Sequence, residues 1–118
     1  MRAASSVCVL LVLGLSSGQG ATAEHWKAVR GAVLRSLFAG KEFGDGVHFA
    51  YRFRTDGTFA GTEMSRSVTG KWRKTDREMC WEWTRPPGAE ECYTVEVDGT
   101  AVRLMRNDAE AWFGRVGK

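Results

Sequence analysis

From Val47 onward the chain alternates apolar and polar positions with a period of two. In Val47–Phe53, Phe49, Tyr51 and Phe53 fall on one side of an extended segment, and His48, Ala50 and Arg52 on the other. Asp56-Gly57 is a tight hairpin signature, and Thr58–Met64 returns from it. Val68–Lys74 is a third strand, with Val68 and Trp72 on one side and Lys71 and Arg73 on the other. Next come two strands around "RPPGAE", a segment in which proline fixes φ and glycine permits the left-handed region. Asp98-Gly99 leads into Ala101–Arg106, and "RNDAEA" turns into a last strand, Ala111–Val116. Before this region the period changes. Trp26, Val29, Val33 and Leu37, widened by Leu34 and Phe38, recur at helical spacing and predict a helix over Glu24–Phe38, with Gly40 as its stop. Gly31 weighs against that helix. The pattern predicts a mainly β, α+β domain. An N-terminal helix leads an antiparallel meander of about seven strands, as a curved sheet or a partly closed barrel.

The first residues predict a compartment. Arg2, the apolar run Val7–Leu15, a polar break and the small residues Ala21 and Ala23 have the three parts of a secretory signal. The run is well short of the roughly 20 residues of a membrane span. Residues 1–23 are therefore expected to be removed, leaving one β-rich domain over 24–118, periplasmic or secreted, with no membrane span after cleavage. Cys8 precedes most of the apolar run instead of following it, so it reads as part of the signal. The formal charge is +3, or +2 without Arg2, too mild a balance to point to nucleic acid.

Cys80 and Cys92 then remain, and an even count in a small exported domain reads as a disulfide. Free thiols or a metal site are the alternatives. Zinc would need about four ligands, and the only histidines, His25 and His48, are remote in sequence. A thioredoxin-type pair would be spaced C-x-x-C. Alternation supports a staple. Met79, Trp81 and Trp83 share one side of the first strand, and Tyr93, Val95 and Val97 share one side of the second. Folding the hairpin superimposes these sides and brings the cysteines together on the opposite, more polar face.

"LFAGKEF", "FRTDGTFAG", "TGKWRKTDREMCWEW" and "ECYTVEVDGTAVRL", spread from Leu37 to Leu104, resemble a family of small exported proteobacterial proteins of unknown function. The resemblance implies a lipocalin-like or related small antiparallel β-domain in the periplasm, with paired cysteines. It implies no catalytic residues, so none is assigned.

The chemistry on offer is sparse. Ser65 and Ser67 have no histidine at a recognised spacing, no glycine-rich phosphate loop is present, and no cofactor or metal is expected. Glu82, Glu90 and Glu91 surround the staple without the spacing of a calcium loop. Five tryptophans are many for a domain of this size; they serve as core or line a binding surface. Arg52, Arg54, Lys71 and Arg73 project from the outward sides of two strands. With Trp72 they form the candidate ligand-binding set, suited to carboxylate, phosphate or an acidic loop; the bland alternative is protection of a sheet edge. Two function classes follow. One is a non-catalytic periplasmic binding or interaction module for a small anionic or apolar ligand, or for an envelope protein. The other is an inhibitor of an envelope-directed enzyme, a lysozyme or protease, acting through the hairpin tip Arg85–Glu90. An open interior favours the first, a filled interior with a projecting tip the second, and His48 beside a buried carboxylate would point to an enzyme.

Overall fold

The computed structural model describes residues 25–118. The proposed signal segment, with Cys8, lies outside the described residues. In chain order the elements are β1 (Lys27–Val29), α1 (Gly31–Phe38), β2 (Lys41–Gly44), β3 (Phe49–Phe53), β4 (Thr58–Glu63), β5 (Arg66–Lys74), β6 (Glu78–Arg85), β7 (Glu91–Asp98), β8 (Ala101–Arg106) and β9 (Ala109–Gly117). Strands β2 to β9 pair in sequence order, each antiparallel to the next, and β9 pairs back onto β2. The result is a closed eight-stranded up-and-down barrel. It has no free edge along most of its circumference, which removes the usual route to strand-on-strand aggregation. Among the described residues, no helix is long and apolar enough to cross a membrane.

The expected meander and antiparallel pairing are present, but three expectations need correction. The barrel is closed, not a curved sheet or a partly closed one, and it has more strands than the alternation suggested. The helix does not run over Glu24–Phe38. Lys27–Val29 is extended and pairs with Val97–Val95 on β7, beside the part of that edge taken by β6. Gly31 has a φ of +60°, a left-handed joint that breaks helical continuity, and only Gly31–Phe38 is helical. This shifts the buried stripe. Leu34 and Phe38 are fully buried, whereas Val33 is 68% exposed. Helix α1 lies across one end of the barrel. Its first amide donates to the Asp76 carbonyl (2.9 Å), and Phe38 packs on Phe43, Phe53 and Trp72.

The interior is filled with rings. Tyr51, Phe53, Phe59 and Trp81 are at most 1% exposed and touch one another edge to face, tilted or stacked. Each buried ring of this kind stabilises the fold by about 2–3 kcal/mol relative to exposure. Gly70 makes room for them, since a Cβ there would collide with the Phe59 ring; a Cβ on Gly61 would collide with the Ala50 carbonyl of the neighbouring strand.

Candidate functional site

The β6–β7 hairpin is stapled as the alternation requires. Cys80 and Cys92 are directly opposed and joined by a disulfide, while Met79, Trp81 and Tyr93 point inward. Cys80 is fully buried although it faces outward. Arg73 sits opposite it on β5, and the Arg73 guanidinium donates to Glu90, through Nε at 2.9 Å and through a second nitrogen, so the ion pair covers the sulfurs. The pairing of the two side chains raises the Arg73 pKa and lowers that of Glu90, both at exposed positions. Cys80, Cys92 and Glu90 would lie close enough together to share a metal ion, but the sulfurs are already bonded to each other.

The structure does not gather the predicted basic set into one patch. Arg52 on β3 and Lys71 and Arg73 on β5 are separated by β4, whose outward positions there are Thr58 and Ala60. Arg52 faces Glu42 at 3.7 Å, Arg73 is clamped to Glu90, and Lys71 stands opposite Glu82. A depression of about 350 Å³ lined by Asp56, Lys71, Arg73, Glu82 and Glu90 therefore mixes both signs of charge. Arg54 is exposed in the β3–β4 turn. Trp72 is 4% exposed and faces the core, with its Nε1 donating to the Arg54 carbonyl (2.8 Å) and Arg35 over its ring.

His48 does meet a carboxylate, Asp45 at 2.7 Å, but both side chains reach solvent in the β2–β3 turn. Desolvation pushes the Asp45 carboxyl upward. The amides of Val47, His48 and Phe49 and the His48 ring all donate to it and outweigh that effect, holding it well below the ordinary carboxylate range. This is an Asx-type turn, in which the carboxylate organises its own loop. Ser65 shares a cleft of about 300 Å³ with His48, without a hydrogen bond between the two side chains.

A different cluster forms at the end of the barrel away from α1. Trp83 on β6 and Trp112 on β9 stand half-buried around a cleft of about 170 Å³, with Trp81 beneath and Pro86–Ala89 and Glu91 at its sides. The connection after β6, which begins with a cis Arg85–Pro86 bond, folds back so that the Gly88 amide donates to the Trp83 carbonyl (3.0 Å). The Tyr93 hydroxyl donates to Glu91 Oε2 and accepts from Trp112 Nε1 at 3.4 Å. Burial is the main cause raising the Tyr93 phenol, and the Glu91 hydrogen bond adds to it. Tyr51 packs on both Trp83 and Trp112, and among the described residues its buried hydroxyl has no hydrogen-bond partner. Desolvation, then the charges of Glu63 and Asp45, push that phenol far above its usual range.

Sequence reasoning placed Trp81 and Trp83 on one side of their strand but did not join Trp112 to them, because β6 and β9 are not neighbours. A signal was present in the halves. Trp83 lies three residues before a Pro-Pro-Gly turn, and Trp112 lies early in the final strand beyond an Asn-Asp turn, so both stand near strand ends. The barrel and its disulfide agree with the small antiparallel β-domain that the motif resemblance implies. Comparison with protein-family models, with curated proteins and with solved structures finds no match.

Proposed function

We propose that the chain is a non-catalytic binding module, exported to the periplasm or beyond, that engages an envelope protein through the end of the barrel opposite α1. The filled interior counts against a ligand held inside and is also what the inhibitor reading expects; the observation that supports docking at this end is the half-buried pair Trp83 and Trp112 beside the stapled hairpin. Where a lipocalin-like calyx would hold a ligand, Tyr51, Phe53, Phe59 and Trp81 occupy the space. Recognition then belongs to an outer surface. Arg52 and Arg73 on the walls pair with carboxylates, whereas the end with Trp83, Trp112 and the stapled hairpin leaves rings half exposed. Exposed aromatic rings in a pinned setting are the usual anchors of protein interfaces. The test is photo-crosslinking in the exporting cell from the full chain, with the reactive residue at Ala89 in the hairpin connection or at Asp56 at the other end. A discrete adduct from Ala89 alone supports the proposal. Equal labelling from both positions, or none from Ala89, overturns it.

A second reading, inhibition of a lysozyme or protease by the hairpin tip, draws on one specific feature. The tip is held by the disulfide, by the Arg73–Glu90 pair and by the Gly88–Trp83 backbone bond. Such a tip loses little conformational entropy on insertion into a cleft. Activity assays of both enzyme classes with purified chain, oxidised and reduced, test it: inhibition by the oxidised form only is the expected result, and full activity at equimolar chain removes the reading.

A further inference from the structure

The cleft between Trp83 and Trp112 has a chemistry of its own. Its walls are indole faces and proline rings, and among the described residues Glu91 is the one charged group that lines it. Glu91 Oε2 takes both the Tyr93 hydroxyl and, at 3.6 Å, Arg106, which leaves Oε1 for a further donor. Arg106, outside the lining of the slot, offsets part of the Glu91 charge, while Glu63 and Asp45 are the carboxylates that act on the Tyr51 phenol behind the tryptophans. An aromatic slot edged by a carboxylate attracts a cation twice over, through the ring quadrupoles and through that carboxylate. A volume of about 170 Å³ accommodates one side chain. Around it, the neighbouring turns present Val47, 82% exposed, and Met64, 66% exposed. Met64 adopts a φ of +48° without being glycine, so this bulky apolar tip is kept outward in a backbone region that costs energy. Apolar tips around a polar-edged slot suit a protein surface more than a free amine.

Resting on the proposed docking role of this end of the barrel, we infer that the slot receives a lysine or arginine side chain of the partner protein, seated between Trp83 and Trp112 with its charge on Glu91. The full domain, with its indole Nε–H resonances assigned, is titrated with acetyl-arginine methylamide, acetyl-lysine methylamide, the neutral acetyl-norleucine methylamide and N-acetylglucosamine. The cationic probes are expected to move the Trp83 and Trp112 signals saturably and leave Trp72 unmoved, with affinity about tenfold above the norleucine probe. Glu91→Gln, at a half-exposed position, is expected to remove most of that preference while the spectrum stays folded; Trp83→Leu tests the ring wall separately. Equal response to norleucine, a preference for the sugar, shifts at Trp26 or Trp72 instead, or no response at all overturns the inference. If Ala89 still crosslinks a partner while the cation preference is absent, the assigned occupant is wrong and the docking role stands. Loss of both removes the whole account of this surface.

Discussion

Reducing the Cys80–Cys92 bond tests how the hairpin is held. The cysteines are separated by 12 positions. Closing so short a loop lowers the entropy of the unfolded chain by an amount worth about 3 kcal/mol at 25 °C. The native state should change little on reduction, because the β6–β7 register from Glu78↔Thr94 to Trp81↔Glu91 and the Arg73–Glu90 pair do not depend on the sulfur bond. Reduction also keeps both sulfur atoms in place. It is therefore cleaner than Cys80→Ala/Cys92→Ala, which would add the loss of a fully buried side chain at Cys80. Urea unfolding of oxidised and reduced protein, followed by tryptophan fluorescence, should show a folded reduced state less stable by about 3 kcal/mol. On heating, that corresponds to a fall in Tm of about 12–24 °C for a domain of this size. Mass spectrometry before reduction should find a mass lower by two hydrogen atoms than the dithiol form, and no zinc. A stability change below about 1 kcal/mol, or free thiols in the untreated protein, would refute the reasoning.

Four other outcomes follow from specific contacts. Tyr51→Phe removes a buried hydroxyl without a partner and should leave the domain unchanged or up to about 1 kcal/mol more stable in urea. The Tyr51 phenol is raised by folding, so its contribution is complete below the ordinary tyrosine value of about 10 and is lost as pH rises beyond it; the wild type should weaken in that alkaline range more than Tyr51→Phe does, as urea midpoints against pH would show. The Asp45 carboxyl is lowered by folding, so its contribution is present above the ordinary carboxylate range and disappears only as pH falls well beneath it; carboxyl NMR titration should find it still ionised at a pH below that ordinary range. Gly61→Ala forces a Cβ against the Ala50 carbonyl and should destabilise by about 1–3 kcal/mol, read by the shift in thermal midpoint.

The sequence made the stapled hairpin legible because three independent signs agreed there: alternation on both strands, the cysteine positions and the Pro-Pro-Gly turn. The interior side of β3, β5 and β6 was legible for the same reason, since long strands repeat the period often enough to fix their faces. Strands β1 and β2 were not. Each has a single buried residue, Val29 and Phe43, and one apolar position carries no period. Val29 also fell at helical spacing from Val33, which drew a strand into the expected helix. Closure of the barrel depends on β9 meeting β2, a pairing of chain ends that no local pattern encodes. Arg52, Lys71 and Arg73 lie on outward positions of their strands and Arg54 in a turn, but the partners of Arg52 and Arg73, Glu42 and Glu90, sit on other elements, so the sequence suggested free charge where the fold supplies these two ion pairs. Trp72 shares its side of β5 with Val68, and that alternation alone puts it in the core.

The central claim is that the barrel is closed and packed with side chains, so that recognition takes place on its outside. Crystals pressurised with xenon test this directly, because xenon enters dry apolar voids. The account predicts no xenon among Phe43, Tyr51, Phe53, Phe59 and Trp81. An ordered xenon atom within that ring of residues would reveal an interior able to hold a ligand and would contradict it.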